Sequence, residues 1–196
     1  MEVQVMEPRK VRKNYHHGDL RAELLRSART LLEQQGISVL GLRAITRHAG
    51  VSSAAAAPHF GNLTGLLSAL ATTGYEELAA ALEPVLEKGA HAAGLVYVRF
   101  AINNPGLFTL MFRSDVIDRK DPILATASTR TSRMLTLLID NLKDHPPQRT
   151  RTGTRAAHWG KVHGLAVLAI DGFLDVLLSS QGEDMSLEDL LDDALR

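Results

Sequence analysis

Apolar residues recur every three or four positions along most of the chain, which is the spacing of one buried face on an α-helix. The first such stretch predicts a helix from about His17 to Gln35, with Gly36 as its C-terminal cap. Strict alternation of apolar and polar residues, which would predict a strand, persists nowhere in the sequence. We therefore expect an all-α fold.

Two short helices are predicted directly after the first. One covers about Leu42–Ala49 and ends at Gly50, which allows a sharp turn. The next covers about Ser52–His59 and contains four consecutive alanines, with the Ser52 hydroxyl as its N-cap. The segment from about 41 to 60 therefore has the layout of a helix-turn-helix, although a plain helical hairpin would show the same pattern.

Longer helices are predicted for the rest of the chain. Leucine spacing indicates a helix from about Leu66 that Pro84 bends or ends. The other predicted helices cover about 94–103, 122–143, 154–180 and 186–195, with a short apolar turn or helix at 107–112 and a polar loop at 148–154. The chain then divides into a flexible basic arm (1–14), a three-helix head (15–65) and a helical bundle (66–196).

Composition excludes several classes of protein. Of the 196 residues 45% are apolar, so a core can form, and the absence of cysteine excludes disulfides, thiolate metal sites and cysteine nucleophiles. The first residues lack the apolar segment of a secretory signal, and the most apolar stretch, Gly164–Leu178, carries two aspartates. We expect a soluble protein of the cytoplasm that neither crosses nor binds a membrane.

The net charge of zero hides an asymmetry between the two parts of the chain. Up to Gly65 there are nine lysines and arginines against five acidic residues, whereas the remainder has 13 basic and 17 acidic residues. A basic head joined to an acidic body favours a polyanion as the partner of the head.

Catalytic and metal-binding patterns are absent from the sequence. There is no nucleophile elbow, phosphate-binding loop or dinucleotide fingerprint, and no two histidines stand three or four positions apart. Asp171 and Asp175 could form a carboxylate pair, but surface placement is the commoner explanation. We predict that the protein is not an enzyme, has no catalytic residues and needs no cofactor or metal.

A resemblance to the DNA-binding domain of TetR-type transcription regulators covers Tyr15–Leu70, in YHHGDLRAELLRSARTLLEQQG followed by LRAITRHAGVSSAAAAPHFGNLTGLL. A second resemblance, to the C-terminal domain of the TetR subgroup with a Trp-His-Gly motif, lies in the segments FAINNPGLFTLMF and WGKVHGLAVLAIDGFL. The motif would here be Trp159, His163 and Gly164. The resemblance implies a homodimeric repressor that binds a double-stranded DNA operator and is released by a small-molecule effector.

The resemblance also implies roles for residues of the head. Arg43 would bind a phosphate, and the start of the next long helix would hold another. The implied DNA-binding residues are Arg43, Ser52, Ser53, Ala54, Ala57, His59, Asn62 and Thr64, with Lys10, Arg12 and Lys13 of the arm. Many family members have a tyrosine and a lysine where this chain has Ala57 and Leu63. The alternative is therefore a helical ligand-binding or interaction module whose DNA binding is weakened or lost.

In the C-terminal part, the resemblance implies a ligand pocket and a dimer interface. The candidate pocket residues are Phe100, Phe108, Met111, Phe112, Trp159 and His163. An ordinary core is the competing interpretation of each. The two long helices at 122–143 and 154–180 would form a four-helix bundle with a second copy, and a hinge would lie near Gly61–Gly65, with Gly74 as a second flexible point.

Two stripes are predicted along the helix at 154–180. The polar stripe, which could line a pocket, cap a partner helix or face solvent, comprises Trp159, His163, Asp171 and Asp175. The adjacent glycine stripe, which could serve the dimer interface or a contact within the chain, comprises Gly160, Gly164 and Gly172.

Overall fold

The computed structural model describes residues 20–140, 150–181 and 185–196, and within these ranges the chain is helical without a strand, as predicted. The helices are α1 (Leu20–Gln35), α2 (Leu42–His48), α3 (Ala57–Phe60), α4 (Leu63–Leu82), α5 (Ala90–Asn103), α6 (Pro105–Phe112), α7 (Pro122–Asp140), α8 (Arg151–Ile170), α9 (Phe173–Gln181) and α10 (Leu187–Leu195). Three 3₁₀ turns cover Ile37–Val39, Ser53–Ala56 and Glu83–Lys88. The predicted arm, with Lys10, Arg12 and Lys13, lies outside the described residues.

The head consists of α1, α2 and α3, and its tightest feature is the turn after α2. Gly50 has a φ of 70°, which favours glycine. The Gly50 N–H donates to the Arg47 carbonyl at 3.1 Å, and the Val51 N–H donates to the Thr46 carbonyl at 2.9 Å. These two bonds form a Schellman ending, so the predicted glycine turn is confirmed.

The third helix predicted for the head is not one regular helix. A 3₁₀ turn at Ser53–Ala56 leads into the single turn of α3. The Ala55 N–H donates to the Ser52 carbonyl at 3.0 Å, whereas Pro58 has no N–H with which to continue an α-helical ladder. The Ser52 side chain makes no capping hydrogen bond, so its predicted N-cap role is wrong.

The helix α4 joins the head to the helices α5 to α10, which we call the body. It packs against α1 and α3 of the head and against α5, α6 and α7 of the body. Because α4 begins at Leu63, it crosses the predicted boundary at 65 and 66, and the buried apolar core continues from one side to the other. Gly74 is not a flexible point, because a Cβ there would lie 2.7 Å from the Met111 sulfur.

The helix predicted at 154–180 is divided in two. The axes of α8 and α9 differ by 84°, and Gly172, with a φ of 76°, lies at the break. The prediction of a polar stripe is therefore wrong, since Asp175 lies on a different helix from Trp159 and His163. The glycine stripe loses Gly172 for the same reason.

Two of the C-terminal helices, α8 and α10, begin with a hydroxyl side chain as N-cap. Thr150 accepts a hydrogen bond from the Gly153 N–H at 3.0 Å, so α8 begins inside the loop predicted at 148–154. Ser186 and Asp189 form a reciprocal capping box at the start of α10, as the sequence pattern predicts.

No single helix within the described ranges has the length and apolar character needed to cross a membrane. Across their bend, α8 and the segment Phe173–Ser180 together meet the length and composition of a span.

Because the end of α3 lies close to the start of α4, we expect a side chain at Gly65 to destabilise the protein. A Cβ at Gly65 would lie 2.1 Å from the Phe60 carbonyl oxygen, so the backbone would have to move. We expect Gly65→Ala to lower the free energy of unfolding by roughly 1–3 kcal/mol in urea denaturation. The neighbouring exposed residue provides the control, and Thr64→Ala should change stability by less than about 0.5 kcal/mol. Equal effects of the two substitutions would contradict the packing described here.

Candidate nucleic-acid interface and ligand cavity

A strip of small side chains is exposed on the head. Ser52, Ser53, Ala54 and Ala57 are exposed, whereas Ala56 is fully buried. Because these side chains are short, the backbone of the 3₁₀ turn and α3 lies near the molecular surface. A surface of this kind can approach base edges and thymine methyl groups in a major groove. We call these four exposed residues the reading strip.

The segment of the chain that carries the reading strip is free of acidic residues. From Gln34 to Tyr75 the chain contains no acidic residue. The same stretch contains Arg43 and Arg47, which are exposed at the two ends of α2. A surface with these features attracts phosphates. Arg47 was not among the residues singled out from sequence, although the acid-free run around it can be counted directly.

The remaining predicted contacts of the head lie at the junction of α3 and α4. His59, Asn62 and Thr64 are all exposed. The Asn62 side chain accepts a hydrogen bond from the Gly65 N–H at 2.9 Å, so it caps α4. Phe60 packs against the core, and the Arg21 guanidinium lies 5.3 Å from its ring centroid.

A carboxylate of the head holds the first turn of α6. The two Glu33 oxygens accept hydrogen bonds from the Gly106 N–H at 2.8 Å and the Leu107 N–H at 3.0 Å. Arg29 pairs with Glu33 at 3.1 Å and donates to the Asn104 side chain at 2.7 Å. Since unpaired N–H groups make a helix N-terminus electropositive, Glu33 supplies the charge that favours this contact.

A cavity of about 580 Å³ lies between α4, α7 and α8, and we call it the central cavity. Its volume is within the range of small-molecule sites. The apolar and aromatic part of its wall comprises Tyr75, Leu78, Tyr97, Phe112, Leu135, Ile139 and Trp159. The polar part comprises Ser128, Thr129, Thr131, Ser132, Thr136 and Thr152 with Arg119, Arg133 and Arg155.

The structure separates the six candidate pocket residues into three groups. Phe112 and Trp159 line the central cavity. Phe108 and His163 lie behind this wall, where the His163 ring centroid is 4.5 Å from that of Phe112 and 5.4 Å from that of Phe108. The other two, Phe100 and Met111, are buried in the core and do not line the cavity.

Two tyrosines that sequence reasoning missed face the central cavity. The Tyr75 hydroxyl donates to the Met111 carbonyl at 2.9 Å, and the Tyr97 hydroxyl lies 3.0 Å from His163 Nδ1. Burial raises the pKa of Tyr97 well above its ordinary value, and the neighbouring Trp159 offsets part of this. Tyr97 thus stays protonated and can donate to a neutral His163. Both tyrosines occur within apolar helical patterns, so no separate signal distinguished them from core residues.

Large apolar side chains are exposed on three consecutive C-terminal helices. Those on α7, α8 and α9 are Ile123, Leu137, Trp159, Val167, Leu168, Phe173, Val176 and Leu177. Gly160 and Gly164 have open space where a Cβ would point. Several exposed apolar side chains on consecutive helices, beside glycines that leave room for another helix, are typical of a protein–protein interface. We call these eight side chains the apolar face.

Two family models match the chain. Residues 90–194 match the tetracyclin repressor-like C-terminal domain, and residues 24–70 match the bacterial regulatory proteins of the tetR family. The chain belongs to the TetR family. TetR-family proteins are DNA-binding transcription regulators that act as homodimers and respond to small molecules, so the chain is a regulator and not an enzyme.

Solved structures agree with this assignment. A protein of unknown function from Rhodococcus sp. RHA1 is 30% identical, with a TM-score of 0.71, over 94% of this chain and 93% of its own. A TetR family transcription regulator from Marinobacter aquaeolei VT8 is 16% identical, with a TM-score of 0.63, over 91% and 94%. The multidrug binding protein EbrR, solved with imidazole, is 21% identical, with a TM-score of 0.52, over 97% and 95%. No curated protein matches the chain. The Trp-His-Gly subgroup stays a prediction.

The position of His163 predicts a pH dependence of stability in this TetR-family chain. Burial lowers the pKa of His163, so the unfolded chain binds the proton more readily than the folded chain. Stability should therefore fall as the pH drops from about 7.5 through the ordinary imidazole range to about 5.5. We expect His163→Gln, which cannot titrate there, to show a shallower decline in urea denaturation. Parallel pH profiles of the two proteins would exclude this role, since the other seven histidines are common to both.

Proposed function

We propose that this TetR-family regulator is a cytoplasmic repressor that binds its operator as a homodimer and releases it when a small molecule enters the central cavity. The observation that carries the proposal is the reading strip, which is exposed on a head without acidic residues from Gln34 to Tyr75. The central cavity in the same chain supports the proposal that a small molecule controls DNA binding. EbrR, which shares the fold, is described as a multidrug binding protein.

Contacts to DNA would divide between phosphates and bases. Arg43 and Arg47, with the lysines and arginine of the arm, would bind phosphates and set the position of the head. Ser52 and Ser53 carry hydroxyl groups that can bind base edges or phosphates, and Ala54 and Ala57 offer methyl groups. His59, Asn62 and Thr64 would contact the backbone beside the strip, with Asn62 acting through the helix end that it caps.

The apolar face supports a homodimer through α7, α8 and α9. Six of its eight side chains lie on α8 and α9 and none belongs to the head, so two copies could join through these helices while both heads stay free. Two heads must lie roughly 34–36 Å apart to enter successive major grooves. A change in that separation would weaken binding without altering either reading strip.

Glu33 and α6 offer a route from the cavity to the head. Phe112, at the end of α6, lines the cavity, and the first turn of the same helix is held by Glu33 of α1. A molecule that displaces Phe112 would thereby disturb the contact between α6 and the head. Coupling of this kind requires that the two ligands, effector and operator, favour different positions of α6.

DNA binding can be tested by electrophoretic mobility shift with the DNA beside the gene that encodes the chain. Arg43→Ala should weaken binding to all sequences by about tenfold and reduce the salt dependence, because it removes a phosphate contact. Ala54→Phe should abolish the preference for the operator over unrelated DNA, because the larger side chain holds the strip away from base edges. Arg99→Ala, which removes an exposed arginine of α5 far from the head in sequence, is the matched control and should leave binding unchanged.

The alternative function, a helical module that has lost DNA binding, is favoured by the alanine and leucine at positions 57 and 63. It would be established if the unmodified protein failed to shift any double-stranded fragment at low salt. If binding occurs but neither Arg43→Ala nor Ala54→Phe affects it, the docking surface proposed here is wrong.

The route through Glu33 can be tested without knowing the effector, since coupling between two sites is reciprocal. We expect operator binding to slow amide hydrogen exchange in α6, and Glu33→Gln to remove this response, because glutamine cannot accept both N–H bonds. Glu23→Gln, on the same helix and paired with exposed Arg26 at 2.6 Å, is the control. Retention of the exchange response in Glu33→Gln would rule out this route.

A further inference from the structure

Arginines at the rim of the central cavity differ in how their charge is compensated. Arg155 pairs with Asp140 through hydrogen bonds of 3.0 and 2.5 Å. Arg119 and Arg133 form no ion pair with any residue in the described ranges, and no described lining residue is acidic. Among the described residues, the cavity wall therefore carries two guanidinium groups that have no ion-pair partner.

The position of Arg119 places this charge beside polar groups of the wall. Burial raises the pKa of the Tyr75 hydroxyl, and nearby Arg119 partly offsets the increase, which indicates that the two side chains lie close together. Arg119 also lines an adjoining cavity of about 240 Å³, which shares Ser128 and Thr129 with the central cavity. Hydroxyl donors thus lie on the same side as the arginine.

The rest of the wall is suited to an apolar body. Trp159, Tyr97 and Phe112 form an aromatic surface, continued by Leu135 and Ile139. Aromatic rings can also attract a cation through their faces, so a cationic ligand is the competing expectation for such a wall. In the described part of this wall a cation would also meet two guanidinium groups and no carboxylate, whereas an anion would gain charge-assisted hydrogen bonds from the guanidinium groups.

We propose that the effector of the central cavity is an amphipathic organic anion, with a carboxylate or similar group held by Arg119 and Arg133 and an apolar body against the aromatic wall. This inference rests on the proposed function of the cavity as the effector site. It adds the charge and polarity of the molecule, which the family assignment does not provide.

Trp159 allows a direct measurement, because it is the one tryptophan of the chain and it lines the cavity. Its fluorescence can be followed while the full-length protein is titrated with decanoate, decan-1-ol and decylammonium, which share one apolar chain and differ in head-group charge. We expect decanoate to bind at least about tenfold more tightly than either of the others.

Variants of the arginines separate the charge effect from general binding. The double variant Arg119→Gln and Arg133→Gln should lose about tenfold in decanoate affinity and keep its affinity for decan-1-ol. Arg130→Gln, one turn before Arg133 and outside the cavity wall, should bind decanoate as the unmodified protein does.

Three results would overturn the inference: equal binding of the three compounds, preference for decylammonium, or no binding of decanoate. None of them would bear on the DNA-binding part of the proposed function, which the mobility shift measures separately. Conversely, charge-selective binding by a protein that shifts no DNA would support the anion site and contradict the repressor.

Discussion

The close contact between the Phe60 carbonyl oxygen and Gly65 sets the geometry at which the head meets the body. The Asn62 N–H donates to the same oxygen at 2.8 Å across Gly61, whose φ of 70° and ψ of −62° are those of a γ-turn. The chain reverses here through its backbone, with no intervening side chain to act as a spacer. The orientation of the reading strip relative to α4 therefore depends on backbone geometry, which changes less readily than side-chain packing.

Further along α4, Gly74 brings the same helix against α6. The Met111 and Leu107 side chains lie where a Cβ would be, and the Tyr75 hydroxyl binds the Met111 carbonyl. The first turn of α6 is in turn held by Glu33, and Gly106 approaches the Leu32 carbonyl closely. The head, α4 and α6 thus form a closed set of contacts. A displacement of α6 cannot be absorbed locally, because close-packed contacts of this kind have few alternative arrangements.

Much of the head could be predicted from sequence, since its signals are local. The apolar spacing of α1 and the glycine after α2 each determine structure within a few residues. The interruption between α8 and α9 was missed because apolar residues continue on both sides of it, although Asp171 followed by Gly172 is a dipeptide that often marks a turn. The cavity was partly predictable through Phe112 and Trp159. Tyr75 and Arg119 required the tertiary structure, because they come from a long helix and a loop that are distant in sequence from α8.

The apolar face has a consequence for how the regulator behaves at different concentrations. A protomer on its own exposes side chains such as Phe173 and Val176, each with more than half of its surface accessible. In the proposed dimer this surface would be removed from water, so the folded state would be stabilised by mass action as the protein becomes more abundant. The number of copies in the cell then affects folding stability as well as promoter occupancy. Newly made chains are most vulnerable to proteolysis and aggregation when they are scarce and have not yet met a partner.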